Sequence, residues 1–349
     1  MTVIPAKISI KILRLAIILS MIQLTQSSCM FAQTDPKNYL NNALDIIESR
    51  ALRRKSVDWS IVRSKSFSLS TSAKNPADTY PAIRYALAQL QDNHSFLMNS
   101  NGSVERNPYG SNRPVVMPQP AVRQRGNHLL TSMHGTIGFI VVPEHSSKKE
   151  NALEFAKKLR RFVANAKAKH IVGWIIDLRD NTGGDMWPML VGVGPINSNG
   201  IQGFFNYGNL SVPWYYEHGE AGVITKSNGK HVNFKVSDNV PDFGDSLPLA
   251  VLINGRTASS GEAIAISFHG RPHTRFFGKH TAGLSTSNET IKLSDGAVLY
   301  LTTSVEADRN NKEFLNGIDP DEPIEQADIP LGADNDPMVK RAVRWLTSI

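Results

Sequence analysis

The order of apolar and polar positions along this chain predicts a succession of helices and strands. From Asp35 to about residue 92, apolar residues recur every three or four positions, the spacing of a buried helix face; the first such face carries Leu40, Ala43, Leu44, Ile47 and Ala51. A second helix is predicted to begin at Tyr80-Pro81, because proline suits a first helical turn. Residues 137–142 and 171–177 are largely apolar runs on either side of a predicted helix over 151–167. Apolar strands without alternation are typical of a sheet covered by helices on both faces.

The composition then changes twice. Residues 96–130 are rich in Asn, Gly, Pro, Ser and Arg and predict loops with short strands. Residues 197–246 contain many glycines, asparagines and aromatic residues, with hairpin-like pieces such as 226–230. This segment predicts a β-rich insertion.

The strand and helix order resumes at Pro248, with strands predicted at 274–278 and 297–303 and a closing helix over 337–346. Together these patterns predict an α/β fold. It has a helical N-terminal region over 35–95 and a core over 96–349, into which the β-rich cap is inserted at about 197–246.

The first 32 residues have the layout of a secretory signal peptide. A basic start is followed by an apolar stretch too short for a comfortable membrane span and by a region of small residues. Cleavage after Ala32 would release an exported protein into the periplasm or envelope, with no integral membrane span after leader removal. The alternative is a lipoprotein anchored through Cys29, but Gln26 is a poor residue for that signal. Cys29 is the only cysteine, so no internal disulfide is predicted.

The net charge of +7 does not indicate a nucleic-acid partner. Lys7, Lys11 and Arg14 carry three of those charges within the leader, and no long basic block follows. We predict no nucleic-acid binding, no cofactor and no metal. The sequence gives no indication of the oligomeric state.

Three polar stretches lie where predicted helices or strands end: residues 92–95 (DNHS), 177–184 (DLRDNTGG) and 257–262 (TASSGE). In α/β sheets, sites gather where strands end and loops meet. Each stretch also has a plain structural explanation. His94 can end a helix, the glycine pair can form a turn, and Ser259 or Ser260 can cap the next helix.

Taken together, the three stretches contain what acyl transfer requires. These are a hydroxyl nucleophile, a base with a pKa near neutral, and backbone N–H donors for an oxyanion. A serine at a helix start also gains from the helix dipole and from the free N–H of the next residue. The N-cap interpretation of the serine pair is compatible with this one.

Four ordered motifs resemble the C-terminal processing (tail-specific) serine peptidase family: DLRDNTGGDMWPML, VLINGRTASSGEA, FFGKHTAG and NGIDPDEPI. The resemblance covers roughly residues 90–330 and implies a crotonase/ClpP-like core. The family's nucleophile is the serine three residues before the glutamate, which here is Ser259. The same resemblance implies an oxyanion hole made by Gly183 and the N–H of Ser260.

Two departures from the family pattern point to one subgroup. Most members place a lysine base 25 residues after the serine, where this chain has Leu284. The interval between residues 95 and 137 is also too short for a PDZ domain. Lysine-less branches use a histidine from a D-x-H-[ST] segment, which DNHS matches at His94. The combination resembles the nisin-resistance type of peptidase, which has a Ser–His pair in a tunnel.

Other residues compete for the supporting roles. Lys279 and His280 lie near the TAG segment and are weaker candidates for the base. His269 is ten residues along the helix from Ser259, about 15 Å away at 1.5 Å per residue, which is too far. An acid that orients the histidine would be Glu313 or, less directly, Glu262; a Ser–His pair without an acid is also open.

The predicted function is therefore an exported serine peptidase that acts on extended or unfolded peptides and protein C-terminal tails. The alternative is a peptide- or lipid-binding protein that uses the same fold without catalysis. A distance between the His94 Nε2 and Ser259 Oγ atoms within hydrogen-bond reach would separate the two.

Overall fold

The computed structural model describes residues 35–105, 109, 130–146, 149–167, 169–238, 240–325, 331, 333 and 335–349. The helices are α1 (Pro36–Arg50), α2 (Trp59–Leu69), α3 (Tyr80–Gln89), α4 (Lys149–Lys167), α5 (Met186–Val193), α6 (Ser260–Phe268) and α7 (Pro337–Leu346). The strands are β1 (Phe96–Met98), β2 (Leu130–His134), β3 (Ile137–Val141), β4 (Gly173–Asp177), β5 (Gly200–Tyr207), β6 (Leu210–Glu217), β7 (Glu220–Thr225), β8 (Gly229–Lys235), β9 (Leu249–Ile253), β10 (Thr274–Gly278), β11 (Thr286–Lys292), β12 (Val298–Asp308) and β13 (Glu322–Pro323).

A six-stranded sheet in the order β13-β10-β9-β4-β3-β2 forms the central layer. Its strands run parallel except β2, which pairs antiparallel with β3. Successive side chains of β4 enter different cores: Trp174 and Ile176 pack with α4, α5 and α6, whereas Ile175 packs with α7. Both faces of the sheet are therefore buried, which explains why these strands lack alternation. The sheet and its helices are an α/β arrangement, as predicted.

The second sheet is antiparallel, with the order β1-β12-β5-β6-β7-β8, and β11 also pairs with β12. The strands β5–β8 lie in the segment predicted as a β-rich cap, but they are not a separate unit, because β5 pairs with β12. The sequence pattern assigned residues 297–303 to the strand and helix order of the core. They belong instead to β12 of this sheet, which is buried along most of its length and so resembles a core strand in sequence.

The helices α1, α2 and α3 pack on β1 and β12 of the second sheet and form their own apolar cluster. Asp35 and Asp58 cap α1 and α2 by accepting backbone N–H bonds. Pro81 lies in the first turn of α3, where the sequence placed it. The helix α3 ends just before residues 92–95, so it carries that polar stretch to the edge of the second sheet.

Two predictions fall outside the described residues. The signal peptide and its two cleavage alternatives concern residues 1–32, and most of the predicted loop over 96–130 is also outside. Within the described part of the chain, none of the helices has the length and apolar character needed to cross a membrane.

Candidate active site

Ser259 lies in the turn that joins β9 to α6, immediately before the helix begins. Its backbone has φ +52° and ψ −125°, a conformation that side-chain-bearing residues adopt rarely and at a cost. The N–H of Ser259 donates to the carboxylate of Glu262 at 2.9 Å. Glu262 lies one helical turn further along the chain, and this bond stabilises the strained backbone of Ser259.

Glu262 also connects the nucleophile turn to the loop over residues 281–284, called here the TAG loop. Its buried carboxylate accepts the hydroxyl of Thr281 at 2.5 Å and the N–H groups of Gly283 and Leu284 at 3.0 and 2.8 Å. Burial raises the pKa of Glu262, and these donors oppose that rise. Glu262 therefore joins the start of the nucleophile helix to the TAG loop.

His94 reaches Ser259 from the end of the helical region. Its Nε2 lies 3.0 Å from the Ser259 Oγ, and its Nδ1 lies 2.8 Å from the Thr286 Oγ1. Asp92 shapes the loop by accepting the N–H groups of His94 and Ser95 at 3.2 and 2.6 Å. Removal of the imidazole from water lowers the pKa of His94 to about 4, so the ring is neutral at pH 7.

The orienting acid predicted from the sequence needs a correction. The Glu313 carboxylate accepts a hydrogen bond from the side-chain amide of Asn206 at 2.8 Å. The Glu262 carboxylate accepts the backbone and hydroxyl donors described above. The group on Nδ1 of His94 is the hydroxyl of Thr286. When Nδ1 carries the proton and donates to Thr286, Nε2 is free to accept the proton of Ser259.

The other candidate bases make contacts elsewhere. Lys279 pairs with Glu325 at 2.5 Å and is half exposed. The ring nitrogens of His280 lie 2.7 Å from the Asp319 carboxylate and 2.8 Å from a backbone carbonyl. His269 Nδ1 lies 3.0 Å from the Asp308 carboxylate.

The two predicted oxyanion donors differ in whether their N–H groups already form a hydrogen bond. The N–H of Gly183 donates to the side-chain oxygen of Asn181 at 3.0 Å. That amide is held in orientation because its NH₂ group donates to the Val142 carbonyl at 2.9 Å. The N–H of Ser260, at the helix start, has no acceptor within the described part of the chain. The prediction for Gly183 therefore needs a correction, since its N–H is already used.

In the next peptide group along, Gly183–Gly184, the N–H has no acceptor among the residues that the structure describes. The carbonyl of this group accepts the N–H of His145 at 3.1 Å, and in a trans peptide the N–H points the opposite way. The N–H of Gly184 therefore points away from His145. The Gly184 carbonyl accepts the Ser260 hydroxyl at 2.7 Å.

Gly183 is required as a glycine by a close approach. A Cβ atom on it would lie 2.8 Å from the Ser259 Cβ, and its φ is +111°. The glycine therefore lets the turn after β4 lie directly against the nucleophile.

A cavity of about 680 Å³ opens beside His94. It is lined by the end of the helical region, by Gly283 and Leu284 of the TAG loop, and by Leu315 and Asn316. In the described ranges, no group of three or more His, Cys, Asp or Glu side chains is arranged to hold a metal ion.

An α/β fold that presents a strained serine at a helix start, beside a neutral histidine, defines a hydrolase-type site. The comparison with protein-family models agrees. The chain belongs to peptidase family S41, whose model matches residues 136–324. The resemblance drawn from the four motifs is thereby confirmed.

The similar proteins include a nisin-resistance protein and carboxy-terminal-processing proteases. The chain is 29% identical over 284 residues to the nisin-resistance protein of Lactococcus lactis, covering 80% of each chain. It is 24% identical over 196 residues to a carboxy-terminal-processing protease of Bartonella bacilliformis, covering 56% of this chain and 40% of that protein. A solved structure of a lipoprotein from Streptococcus agalactiae superposes with a TM-score of 0.67 at 25% identity, covering 90% of this chain and 96% of that one.

Sequence reasoning missed two groups in the site, Thr286 and the N–H of Gly184. Thr286 lies two residues beyond Leu284, the position at which most tail-specific members have lysine. A hydroxyl residue so close to the missing base was the available signal. No sequence signal distinguishes the N–H of Gly184 from that of Gly183, because the choice depends on the orientation of one peptide plane.

Proposed function

We propose that this protein is a serine peptidase in which Ser259 is the nucleophile and His94 is the general base. The observation that carries the proposal is the 3.0 Å separation of the His94 Nε2 and Ser259 Oγ atoms. It lies within the reach that proton transfer requires. The membership of family S41 supports the same reaction class.

In the proposed reaction, the Ser259 Oγ forms a bond to the carbonyl carbon of the substrate while His94 takes the hydroxyl proton. The tetrahedral intermediate then breaks its C–N bond, and His94 gives the proton to the leaving amine. Water attacks the acyl-enzyme, and His94 again removes and returns one proton. In the tautomer that leaves Nε2 unprotonated, Nδ1 donates to the Thr286 hydroxyl.

The negative charge that develops on the carbonyl oxygen needs N–H donors that are free before the reaction. We propose the N–H groups of Ser260 and Gly184 for this role. Ser260 lies at the N-terminus of α6, where the helix dipole favours negative charge. Gly183 contributes through its lack of a side chain, and its own N–H would join the pair only if it left Asn181.

We propose extended or unfolded peptides and protein C-terminal tails as the substrates. An extended chain can pair its backbone with exposed peptide groups such as those of Gly184, which demands little of the sequence. We further propose that the parallel sheet is a crotonase-like core and that β5–β8 act as a cap. The leader predicted over residues 1–32 would place the reaction outside the cytoplasm.

A small peptide is the second candidate substrate. The relative that covers 80% of this chain is called a nisin-resistance protein, so a peptide antibiotic is a specific alternative to a protein tail. A binding protein without catalysis is disfavoured, because it would have no need for a strained serine beside a neutral histidine.

The test compares Ser259→Ala and His94→Ala with Lys279→Ala on an unstructured reporter peptide. We expect each of the first two changes to lower kcat by about 10⁴-fold or more, with unchanged secondary structure. Lys279→Ala should retain activity, because that lysine pairs with Glu325. Loss of activity in Lys279→Ala with retention in His94→Ala would overturn the assignment of the base.

A folded domain and the same domain with a disordered C-terminal tail test the substrate. Cutting confined to the tail supports the proposal. Rapid internal cutting of the folded domain contradicts it.

A further inference from the structure

The cavity beside His94 adjoins the residue that donates the proton to the leaving amine in the proposed mechanism. In the proposed mechanism, His94 must reach the leaving amine in order to protonate it, so the C-terminal part of the substrate passes beside this imidazole. His94 lines the cavity, whereas Ser259, Ser260 and Gly184 do not. Because the cavity adjoins the imidazole, it offers space to the part of the substrate that leaves.

The walls of this cavity are mostly apolar or uncharged. Leu52, Ala88, Leu284 and Leu315 contribute apolar surface, and Leu315 is 42% exposed at its edge. A volume of about 680 Å³ is within the range of small-ligand sites and accommodates a short peptide.

Among the described residues that line the cavity, two side chains have a formal charge at neutral pH, Asp92 and Arg53. The Asp92 carboxylate is occupied, since it accepts the N–H groups of His94 and Ser95 and the hydroxyl groups of Ser95 and Thr302. It also belongs to the loop that holds His94, so it is not available to a ligand.

Arg53 is different. One of its nitrogens donates to the Gln91 carbonyl at 3.1 Å, and its charge opposes the rise that burial causes in the pKa of Asp92. Among the residues that the structure describes, no carboxylate is in direct contact with its guanidinium. A guanidinium has five N–H donors, so most of them are left for a ligand. The arrangement thus provides a positive charge, on apolar walls, on the side of the leaving group.

We propose that Arg53 binds the C-terminal carboxylate of the substrate, so that the enzyme recognises free chain ends and releases a short C-terminal peptide. The inference rests on the proposed function. Every protein tail ends in a carboxylate whatever its sequence, and a guanidinium matches a carboxylate in charge and in planar geometry. This recognition would select tails without a separate tail-binding domain.

The experiment uses one unstructured peptide in two forms, with a free C-terminal carboxylate and with a C-terminal amide. We expect the amide to be cleaved with a KM about 10- to 100-fold higher, the effect of losing one charge-assisted hydrogen-bonded pair. Arg53→Gln should raise KM by a similar factor for the free acid and leave the amide unaffected. Arg53→Lys should restore part of the difference.

Arg54→Gln is the matched control. Arg54 is adjacent in sequence, donates to the Ala51 carbonyl at 3.0 Å and does not line the cavity. It should leave the acid-to-amide ratio unchanged.

Extending the peptide at its C-terminus gives a second readout. If the chain end is recognised, the cut site moves with it and the released fragment keeps its length. Three results would overturn the inference. They are a cut site that stays at one sequence, equal KM values for acid and amide, and an amidated peptide that binds Arg53 through an internal acidic side chain. Absence of any Ser259-dependent cleavage would instead overturn the proposed function itself.

Discussion

The nucleophile and the base of the site are held by different parts of the molecule. Ser259 lies between a buried parallel strand and a buried helix, and Glu262 connects its backbone to the TAG loop. His94 lies on a loop after the helical region, and side chains from the antiparallel sheet hold it. Thr286 contacts its ring, and Asn288 donates to its carbonyl at 2.9 Å.

This difference predicts whether a mutation on each side of the site will affect stability, activity or both. The nucleophile side stores backbone strain and depends on one buried carboxylate, so damage there should affect both stability and activity. On the base side, the contacts from the antiparallel sheet are the neutral hydrogen bonds of Thr286 and Asn288, so their loss should affect activity with little loss of stability.

Among the residues that support the nucleophile and the base, Glu262→Ala is expected to have the largest combined effect on stability and activity. Four donors would lose their acceptor, and the strained Ser259 would lose its anchor. We expect the free energy of unfolding to fall by at least about 3 kcal/mol and kcat/KM to fall by at least about 10²-fold. Urea unfolding and peptide cleavage measure the two changes. A stable variant with normal kcat/KM would show that Glu262 does not hold the nucleophile.

A pH profile examines the base side without a mutation. Because burial lowers the pKa of His94 to about 4, the imidazole stays neutral well below pH 6.5. We expect kcat/KM to be level above about pH 5 and to fall as the pH drops through 4, where the ring gains a proton and cannot accept one from Ser259. Circular dichroism at each pH confirms that the fold is intact. Half-maximal loss near pH 6.5 would contradict a water-excluded histidine.

A smaller effect is expected from Thr286→Val. The change keeps the shape of the side chain and removes the hydroxyl that lies 2.8 Å from His94 Nδ1. Losing one neutral hydrogen bond should lower kcat about 10-fold and change the unfolding midpoint little. Thr286→Ser keeps the hydroxyl and should stay close to the parent protein. Equal losses in the two variants would assign the effect to packing.

The smallest effect is expected from Glu313→Gln. The carboxylate of this exposed residue contacts Asn206, on β5. We expect kcat to stay within about twofold of the parent protein, since an amide oxygen can still accept that bond. A drop comparable to that of His94→Ala would return Glu313 to the role of orienting acid.

Much of the central fold was readable from the sequence, because local patterns determine it. The helix start at Pro81, the strands at 137–141 and 249–253 and the helix at 337–346 follow from periodicity, capping and proline geometry. The assignment of 297–303 failed because β12 is buried on both faces, and a buried antiparallel strand has the same apolar pattern as a parallel one.

The residue types of the site were also readable. The ordered motifs identified the family, and they pointed to Ser259 and His94, 165 positions apart, as one pair that the structure brings within 3.0 Å. The absence of lysine at Leu284 indicated that the base had to come from elsewhere.

Tertiary structure alone decided the partners of these residues. Thr286, and not an acid, lies on the second nitrogen of His94 because β11 places it there, and Glu313 turns to Asn206 because β12 pairs with β5. Among the described residues, the N–H without an acceptor belongs to Gly184, and not Gly183, because the Asn181 side chain and the His145 N–H orient two successive peptide planes. Spacing along a chain fixes which side chains are available, whereas the direction of a hydrogen bond depends on neighbours that only packing brings together.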